Sequence, residues 1–280
     1  MPIDVASYLK FTPTDDTGSF AADTEGHVYY DDSQSQLKHY DGSDWLRVSK
    51  DDNYDRPGDG QYAVDSYTKL LIHSDTTNNS TTFADSSSGT HTITRTGAVH
   101  STTQNKIGAT SIYFDGSDDK LSVPDSADWN FGDGDFTIDS WVFLKDSGGG
   151  TYISQWVPDD TDNRWQIAIT QAGFQLYVRA SSSNLADYNR TWNPSLNLNT
   201  WYHIALVRSS STMYLFLDGA SQSWTLVNQS ISGNSMPDFG YALEVGRRNF
   251  NPDPDHFYGY ADDIRISKGI ARWTSNFTVY

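Results

Sequence analysis

Residues 136–144 run Phe-Thr-Ile-Asp-Ser-Trp-Val-Phe-Leu, and residues 201–208 run Trp-Tyr-His-Ile-Ala-Leu-Val-Arg. Both are rich in β-branched and aromatic residues, the composition of strands. Neither alternates cleanly between apolar and polar positions, which predicts central strands covered on both faces. Loop residues such as Trp129, Phe131 and Trp192 are expected to supply that cover. Outward from these two segments lie further strand-like runs: Tyr67–His73, His91–Arg95, Ser111–Phe114, Lys120–Val123, Tyr152–Trp156, Trp165–Thr170, Phe174–Arg179, Met213–Leu217, Tyr241–Val245 and Phe257–Ser267. Turn clusters separate them and no amphipathic helical window intervenes. The pattern predicts an all-β fold, a two-sheet antiparallel sandwich.

Composition agrees. Of 36 acidic residues only Glu25 and Glu244 are glutamate. Aspartate caps turns through its short side chain whereas glutamate suits helix interiors, so the bias favours turns over helices. Aromatics reach 14% while hydrophobic residues total only 36%, so burial rests on large rings. The formal charge of -17 repels phosphate backbones and argues against nucleic acid as a partner. Without cysteine there is neither a disulfide nor a thiolate metal site. The start, MPIDVASYLKF, has no basic region followed by an apolar stretch, and no segment approaches ~18 apolar residues, so neither a signal peptide nor membrane insertion is expected.

The first 50 residues differ from the rest. His27–Tyr30, Gln36–Tyr40 and Trp45–Val48 read as a short N-terminal β-meander joined by the turns DDSQS and Asp41-Gly42-Ser43. About 25 residues cannot bury enough surface to stand alone, so the unit needs a partner: another copy, the sandwich, or a larger assembly. Residues 51–66, beginning DDNYDRPGDG, read as a linker, and 67–280 as the sandwich.

Four segments, Thr68–Asp75, Ser111–Leu144, Asn199–Gly219 and Tyr258–Phe277, resemble in order and spacing the laminin-G-like, concanavalin-like jelly rolls of bacterial and bacteriophage surface proteins. Within them LFLDG reads as a hairpin strand ending in an Asp-Gly turn, and YFDGSDDKLSV as two strands around another. The meander, through Gly26–Asp31, Leu37–Lys38 and Tyr40–Trp45, is similar to a segment recurring in tailed-phage fibres and appendages. Together these resemblances imply a virion surface protein, made in the host cytoplasm and displayed on the particle as a tail fibre, appendage or head decoration. Residues 1–50 would join other virion proteins or a homo-oligomer, for which a trimer is one plausible form because a weak meander gains its missing core around a threefold axis. The sandwich would serve adhesion to a host glycan or stabilise the particle. A bacterial carbohydrate-binding module or adhesin is the alternative, and a glycan hydrolase a third.

Hydrolases with this sandwich carry their paired carboxylates in a Glu-x-Asp-x-x-Glu run, and this chain has none, so no catalytic residue is assigned. The resemblance also implies one structural Ca2+ where the first and last strands meet, held by Asp75, a carbonyl near Gly116, and Asp262; the same aspartates can instead cap turns. Strict alternation along ADDIRI puts Asp262 on the face of Ile264 and Ile266, opposite Asp263 and Arg265. Sugar binding calls for aromatic faces near loops, for which Trp129, Trp156, Trp192 and Trp224 are the candidates. The seven histidines show no metal-ligand spacing. In the closing segment, Ile270 and Trp273 are expected to anchor a strap by burial.

Overall fold

The structure is a computed structural model that describes residues 28–31, 36–40, 45–47, 64–158, 160, 163–180, 187–223, 225–228, 232–249 and 255–279. The chain divides into two compact units, Met1–Ala63 and Val64–Val279. In the first, strands β1 (Val28–Asp31), β2 (Gln36–Tyr40) and β3 (Trp45–Arg47) form an antiparallel sheet in the order β1-β2-β3, the expected meander. The expected linker lies outside the described residues as far as Ala63.

The second unit begins with β4 (Thr68–Ile72), β5 (Thr94–Thr96), β6 (Val99–Ser101), β7 (Ser111–Asp115) and β8 (Lys120–Val123). Next come β9 (Phe136–Leu144), β10 (Gly150–Trp156), β11 (Asn163–Thr170), β12 (Gly173–Ala180) and β13 (Asp187–Trp192). The set closes with β14 (Trp201–Ser209), β15 (Thr212–Leu217), β16 (Ala220–Ser221), β17 (Thr225–Asn228), β18 (Leu243–Val245) and β19 (Tyr258–Lys268). One sheet has the order β16-β15-β14-β9-β19-β7-β6, with β4 also pairing β19; the other has the order β17-β13-β12-β11-β10-β18-β8-β5. Every pairing in the two sheets is antiparallel, and a 3-10 turn at Ala127–Trp129 is the helical element among the described residues. Among these residues no helix is long and apolar enough to cross a membrane.

The core lies between the sheets. Ile138, Val142, Leu206 and Ile266 of the first sheet and Ile153, Trp165, Leu176 and Val245 of the second belong to one buried cluster. Each such side chain contributes roughly 1.5–3 kcal/mol relative to exposure. One polar link crosses this layer, between Ser140 Oγ and the Tyr152 hydroxyl at 2.6 Å, and burial raises the Tyr152 phenol above its usual range. As expected, β9 is central, between β14 and β19, and all nine of its residues are buried.

Several expectations change. Trp129, Phe131 and Trp192 belong to the core cluster and do not cover the outer face of β9 and β14. Phe131 stacks on Phe136 with centroids 4.4 Å apart, and Trp192 on Phe174 at 4.6 Å. The outer face is closed instead by the C-terminal residues: Trp273 and Phe277 stack at 4.1 Å, and both meet the edge of His203. Trp273 is thus the buried anchor expected, while Ile270 is half-buried and lends its carbonyl to the Thr137 hydroxyl. Trp192 ends a strand, β13, whose sequence DYNRTW has too little apolar content to announce itself.

Two turns differ in outcome. At Asp218-Gly219 both residues have positive φ (47° and 75°), the backbone of a type I′ hairpin, and β15 pairs β16 as the Asp-Gly signal predicts. Around Asp115-Gly116 the two expected strands form but do not pair: β7 joins the first sheet and β8 the second, so this turn carries the chain across the sandwich. The run expected at His91–Arg95 pairs only from Thr94; at its start the His91 N–H donates to Asp85 Oδ2 (2.8 Å).

Candidate functional site

Strands β10, β11 and β12 lie side by side, with Trp156 opposite Arg164 and Gln166 opposite Tyr177. Alternation sends Trp165, Ile167, Leu176 and Val178 into the core, so Arg164, Gln166, Gln175 and Tyr177 project from the other face. With Trp156, and with Arg248 from beyond β18, they line a cleft of about 210 Å³.

The cleft is an alternation of rings and guanidinium groups. Arg164 lies over Trp156 at 4.3 Å and over Tyr177 at 4.8 Å, and Arg248 lies 5.8 Å from the Trp156 ring. The indole N–H of Trp156 donates to the Asp160 carbonyl (3.0 Å), and the ring is 5% exposed. Gln175 Nε2 donates to Asn189 Oδ1 at 3.1 Å. Gln166 is 6% exposed and its amide oxygen has no hydrogen-bond partner among the described residues. Such an orphan costs about 1–3 kcal/mol, so its retention in an outward-facing cleft calls for a use. None of the described lining residues is acidic, although the chain carries a net charge of -17. Arg248 also stands 3.9 Å from Asp255.

The four tryptophans expected near sugars separate. Trp156 lines the cleft, yet its ring faces a guanidinium where a sugar would stack. Trp129 is fully buried, donating its N–H to the Pro124 carbonyl, and Trp192 is 4% exposed. Trp224 lies outside the described residues. Sequence reasoning passed over Arg164, Gln166, Gln175, Tyr177 and Arg248; the usable signal was the polar alternation of NRWQIAIT and GFQLYVRA.

The expected metal ligands also separate. Asp262 Oδ2 accepts the N–H groups of Lys106 (3.1 Å) and Ile107 (2.9 Å), Oδ1 accepts that of Asp263 (3.0 Å), and the side chain is fully buried. Burial, and next the neighbouring Asp263, push this carboxyl up to about 8. Asp75 Oδ1 accepts the Ala109 N–H (2.7 Å), so both aspartates fasten the 106–109 loop. Gly116 lies instead against Tyr258, four residues back along β19, roughly 13 Å from Asp262 at ~3.3 Å per residue. Coordination of one Ca2+ by these three residues does not fit this arrangement. The alternation argument for Asp262 also fails. Asp262 pairs with Trp141 and Arg265 with Asp139, so three residues on β19 span two on β9, and Asp263 takes a φ of +48° at this bulge. Asp262 therefore shares a face with Arg265, away from Ile264 and Ile266.

Beside Gly116, the carboxylates of Asp115, Asp118 and Asp119 converge within 4.8 Å. Asp119 Oδ2 accepts the Asp115 N–H and Asp115 Oδ1 the Ser117 N–H, bonds that a tight turn uses to hold its own backbone. Burial raises Asp119 to about 6, with Asp115 and Asp118 adding to the shift.

Among solved structures, the binding domain of Paraclostridial Mosquitocidal Protein 1 aligns over 74% of this chain and 50% of its own, with a TM-score of 0.54 and 13% identity. The Botulinum Neurotoxin serotype G binding domain is similar, with a TM-score of 0.54 and 12% identity over 73% of this chain and 49% of that one. This chain thus spans about half the length of each. Domain 4 of AbnA, a GH43 extracellular arabinanase from Geobacillus stearothermophilus solved with arabinotriose, gives a TM-score of 0.51 and 16% identity, covering 73% of this chain and 93% of that domain. At these identities the likeness is one of fold. No curated protein matches the chain. The family described as the concanavalin A-like lectin/glucanases superfamily matches residues 115–272, from the turn that carries the chain between the sheets to the start of the C-terminal strap, and the protein belongs to it.

Proposed function

We propose that this protein is a non-catalytic glycan-binding protein whose ligand occupies the cleft on β10, β11 and β12. The observation that carries the reading is the buried, unpartnered amide oxygen of Gln166 in a cleft otherwise lined by hydrogen-bonding side chains. Sugar hydroxyls are donors, and a donor at this point would satisfy the orphan. The described lining residues include no carboxylate, whereas hydrolysis needs two carboxyl groups flanking the scissile bond, which supports binding. Similarity to a domain solved with arabinotriose supports the ligand class.

The test is a glycan array probed with the full chain and with Gln166→Met. Replacing an unsatisfied amide by an apolar side chain of similar length leaves folding stability unchanged or improved, while glycan binding falls about tenfold or more. A Gln166→Met protein that binds like the parent would overturn the reading. So would one that melts several degrees lower, because the amide would then serve the fold.

For its setting, we propose a bacteriophage particle, with residues 1–50 joining other virion proteins and the chain assembling as a homotrimer. The resemblance of Gly26–Trp45 to phage-fibre segments supports this, as does the antiparallel meander at β1–β3. Mass spectrometry of purified particles should detect the chain, and light scattering should give three times the 31.3 kDa chain mass. A monomer that is absent from particles would favour a bacterial carbohydrate-binding module.

A further inference from the structure

We infer that a second carbohydrate site lies on the outer face of the first sheet, an aromatic platform that takes a neutral glycan through Tyr113, Tyr258 and Trp201. It is separate from the cleft on β10, β11 and β12 and does not rest on the reading above. Tyr113 of β7 pairs with Tyr260 of β19, Tyr260 with Phe143 of β9, and Phe143 with Trp201 of β14. Four rings therefore stand in one register line across four strands, with successive centroids 4.9, 5.5 and 5.4 Å apart. Three strand spacings make the row roughly 14 Å long. Their chain neighbours Phe114, Ala261 and Val142 belong to the core cluster and Tyr202 packs against it, so alternation turns the row outward. Tyr258, two residues before Tyr260 on the same face, extends the row, its ring 6.5 Å from that of Tyr113.

The outer face is divided. Its polar half, with Asp139, His203 and Arg265, is closed by the C-terminal residues through Trp273 and Phe277. The aromatic half keeps ring surface in solvent: Tyr260 and Phe143, 5% and 4% exposed, form a floor, while Tyr113, Tyr258 and Trp201 are only half-buried. Cross-strand ring pairs stabilise a sheet, which accounts for the floor but does not call for rings at the exposed ends. Residues 103–107 bound the row on one side: Thr103 hydrogen-bonds the Tyr260 phenol, and Lys106 lies 4.0 Å over Trp141, the preceding outward residue of β9.

The chemistry of this face selects its occupant. Ring faces take the C–H faces of a sugar, and phenols exchange hydrogen bonds with its hydroxyls. Tyr113 and Tyr258 bond each other, which leaves one O–H and further lone pairs for a ligand; a wholly apolar partner would bury these unpaired. Burial, and next Tyr258, push the Tyr113 phenol up to about 12, so it remains a donor at neutral pH. Exposed Asp115 pairs with Tyr258 at the end of the row, and the net charge of -17 opposes both an anionic glycan and a second copy of the chain.

The test probes the neutral members of a glycan array, arabinotriose among them, with the full chain, and measures the best of them by calorimetry. Trp201→Ala and Tyr113→Ala should each weaken binding about tenfold, while Trp201→Phe, which keeps a ring, retains most of it. Melting curves separate folding from binding; where an alanine variant does not fold, Tyr113→Phe, which removes only a hydroxyl, should cost about threefold or more. Carboxylated counterparts should bind more weakly than the neutral forms, and equal or tighter binding overturns the inference. So do row variants that bind neutral glycans like the parent. A Trp201→Ala chain that scatters light as a 31.3 kDa monomer where the parent is a multiple of it, with glycan binding unchanged, would make the face an interface between copies and overturn the inference as well. Binding lost in Gln166→Met and kept in the row variants leaves the cleft reading alone; binding lost in the row variants and kept in Gln166→Met leaves only the platform. If no array member binds, both fall.

Discussion

Arg265→Met tests how the outer face of the first sheet is held. Arg265 donates from Nε and Nη2 to the two oxygens of Asp139, both at 2.9 Å, and the pair is buried, with side-chain exposures of 4% and 3%. His203 Nε2 stands 3.6 Å from the same carboxylate. Burial alone would raise the Asp139 carboxyl; Arg265 and His203 reverse that and hold it below the usual range. Removing the guanidinium leaves a buried charge without its main partner, a change that costs about 3–5 kcal/mol. For a unit of this size each kcal/mol shifts Tm by ~2–4 °C, so a drop of roughly 6–20 °C is expected. The pH dependence should change sign. In the parent, the folded pKa of Asp139 lies below the unfolded value near 3.9, so its contribution is present above that pH and is lost as pH falls through the lowered value. In the variant burial dominates, the folded pKa rises above the unfolded one, and stability is lost as pH increases from about 4. Urea unfolding followed by tryptophan fluorescence at pH 5 and pH 7 measures both effects, and Asp139→Asn/Arg265→Met should recover most of the loss. A single variant within about 1 kcal/mol of the parent, or a double variant weaker than the single, would refute the reasoning.

Asp262 should tilt the stability profile further up the scale. Its folded pKa of about 8 lies above the unfolded value, so the folded state keeps a proton that the unfolded chain releases, and stability falls by up to about 1.4 kcal/mol per pH unit between about 4 and 8. Unfolding midpoints at pH 6.5 and 8 lie above the Asp119 value of about 6 but still span histidines lowered by burial, His100 and His256, so comparison of Asp262→Asn with the parent isolates this group: the variant should lose the Asp262 fall in stability, and parallel profiles would disprove it. Trp273→Ala removes a ring 3% exposed and stacked on Phe277, a loss of about 3–5 kcal/mol, and limited proteolysis should then cut within residues 269–279; unaltered digestion would count against the strap. Gly149→Ala places a Cβ 1.8 Å from the Ile169 carbonyl oxygen at a φ of +57°, so a loss of about 2 kcal/mol or more is expected in urea unfolding, and a neutral result would contradict the hairpin geometry between β10 and β11.

What the residues disclosed unaided depended on whether a feature is local. Phe136–Leu144 was legible end to end, because nine residues of strand-forming composition do not need to know their partners. Ser111–Asp115 and Lys120–Val123 were legible as strands but not as members of different sheets, since an Asp-Gly turn specifies a reversal and leaves open which ladder receives the chain. Asp262 was misassigned by face because alternation holds only until a bulge, and the left-handed backbone of Asp263 supplies one. The cleft shows the same limit more usefully. Trp156 is notable in sequence as an aromatic near a loop, but the feature on which the proposed site rests is an amide. Outward glutamines on a strand ordinarily meet water or a neighbour; Gln166 is buried among the arginines and rings beside it, and none of the described residues supplies a donor to its oxygen. Three strands in register and Arg248, from a distant segment, are needed to create that situation, so no window of sequence contains it. Among the described residues no donor reaches that oxygen, and for that reason the binding proposal stands on Gln166 and not on the tryptophan.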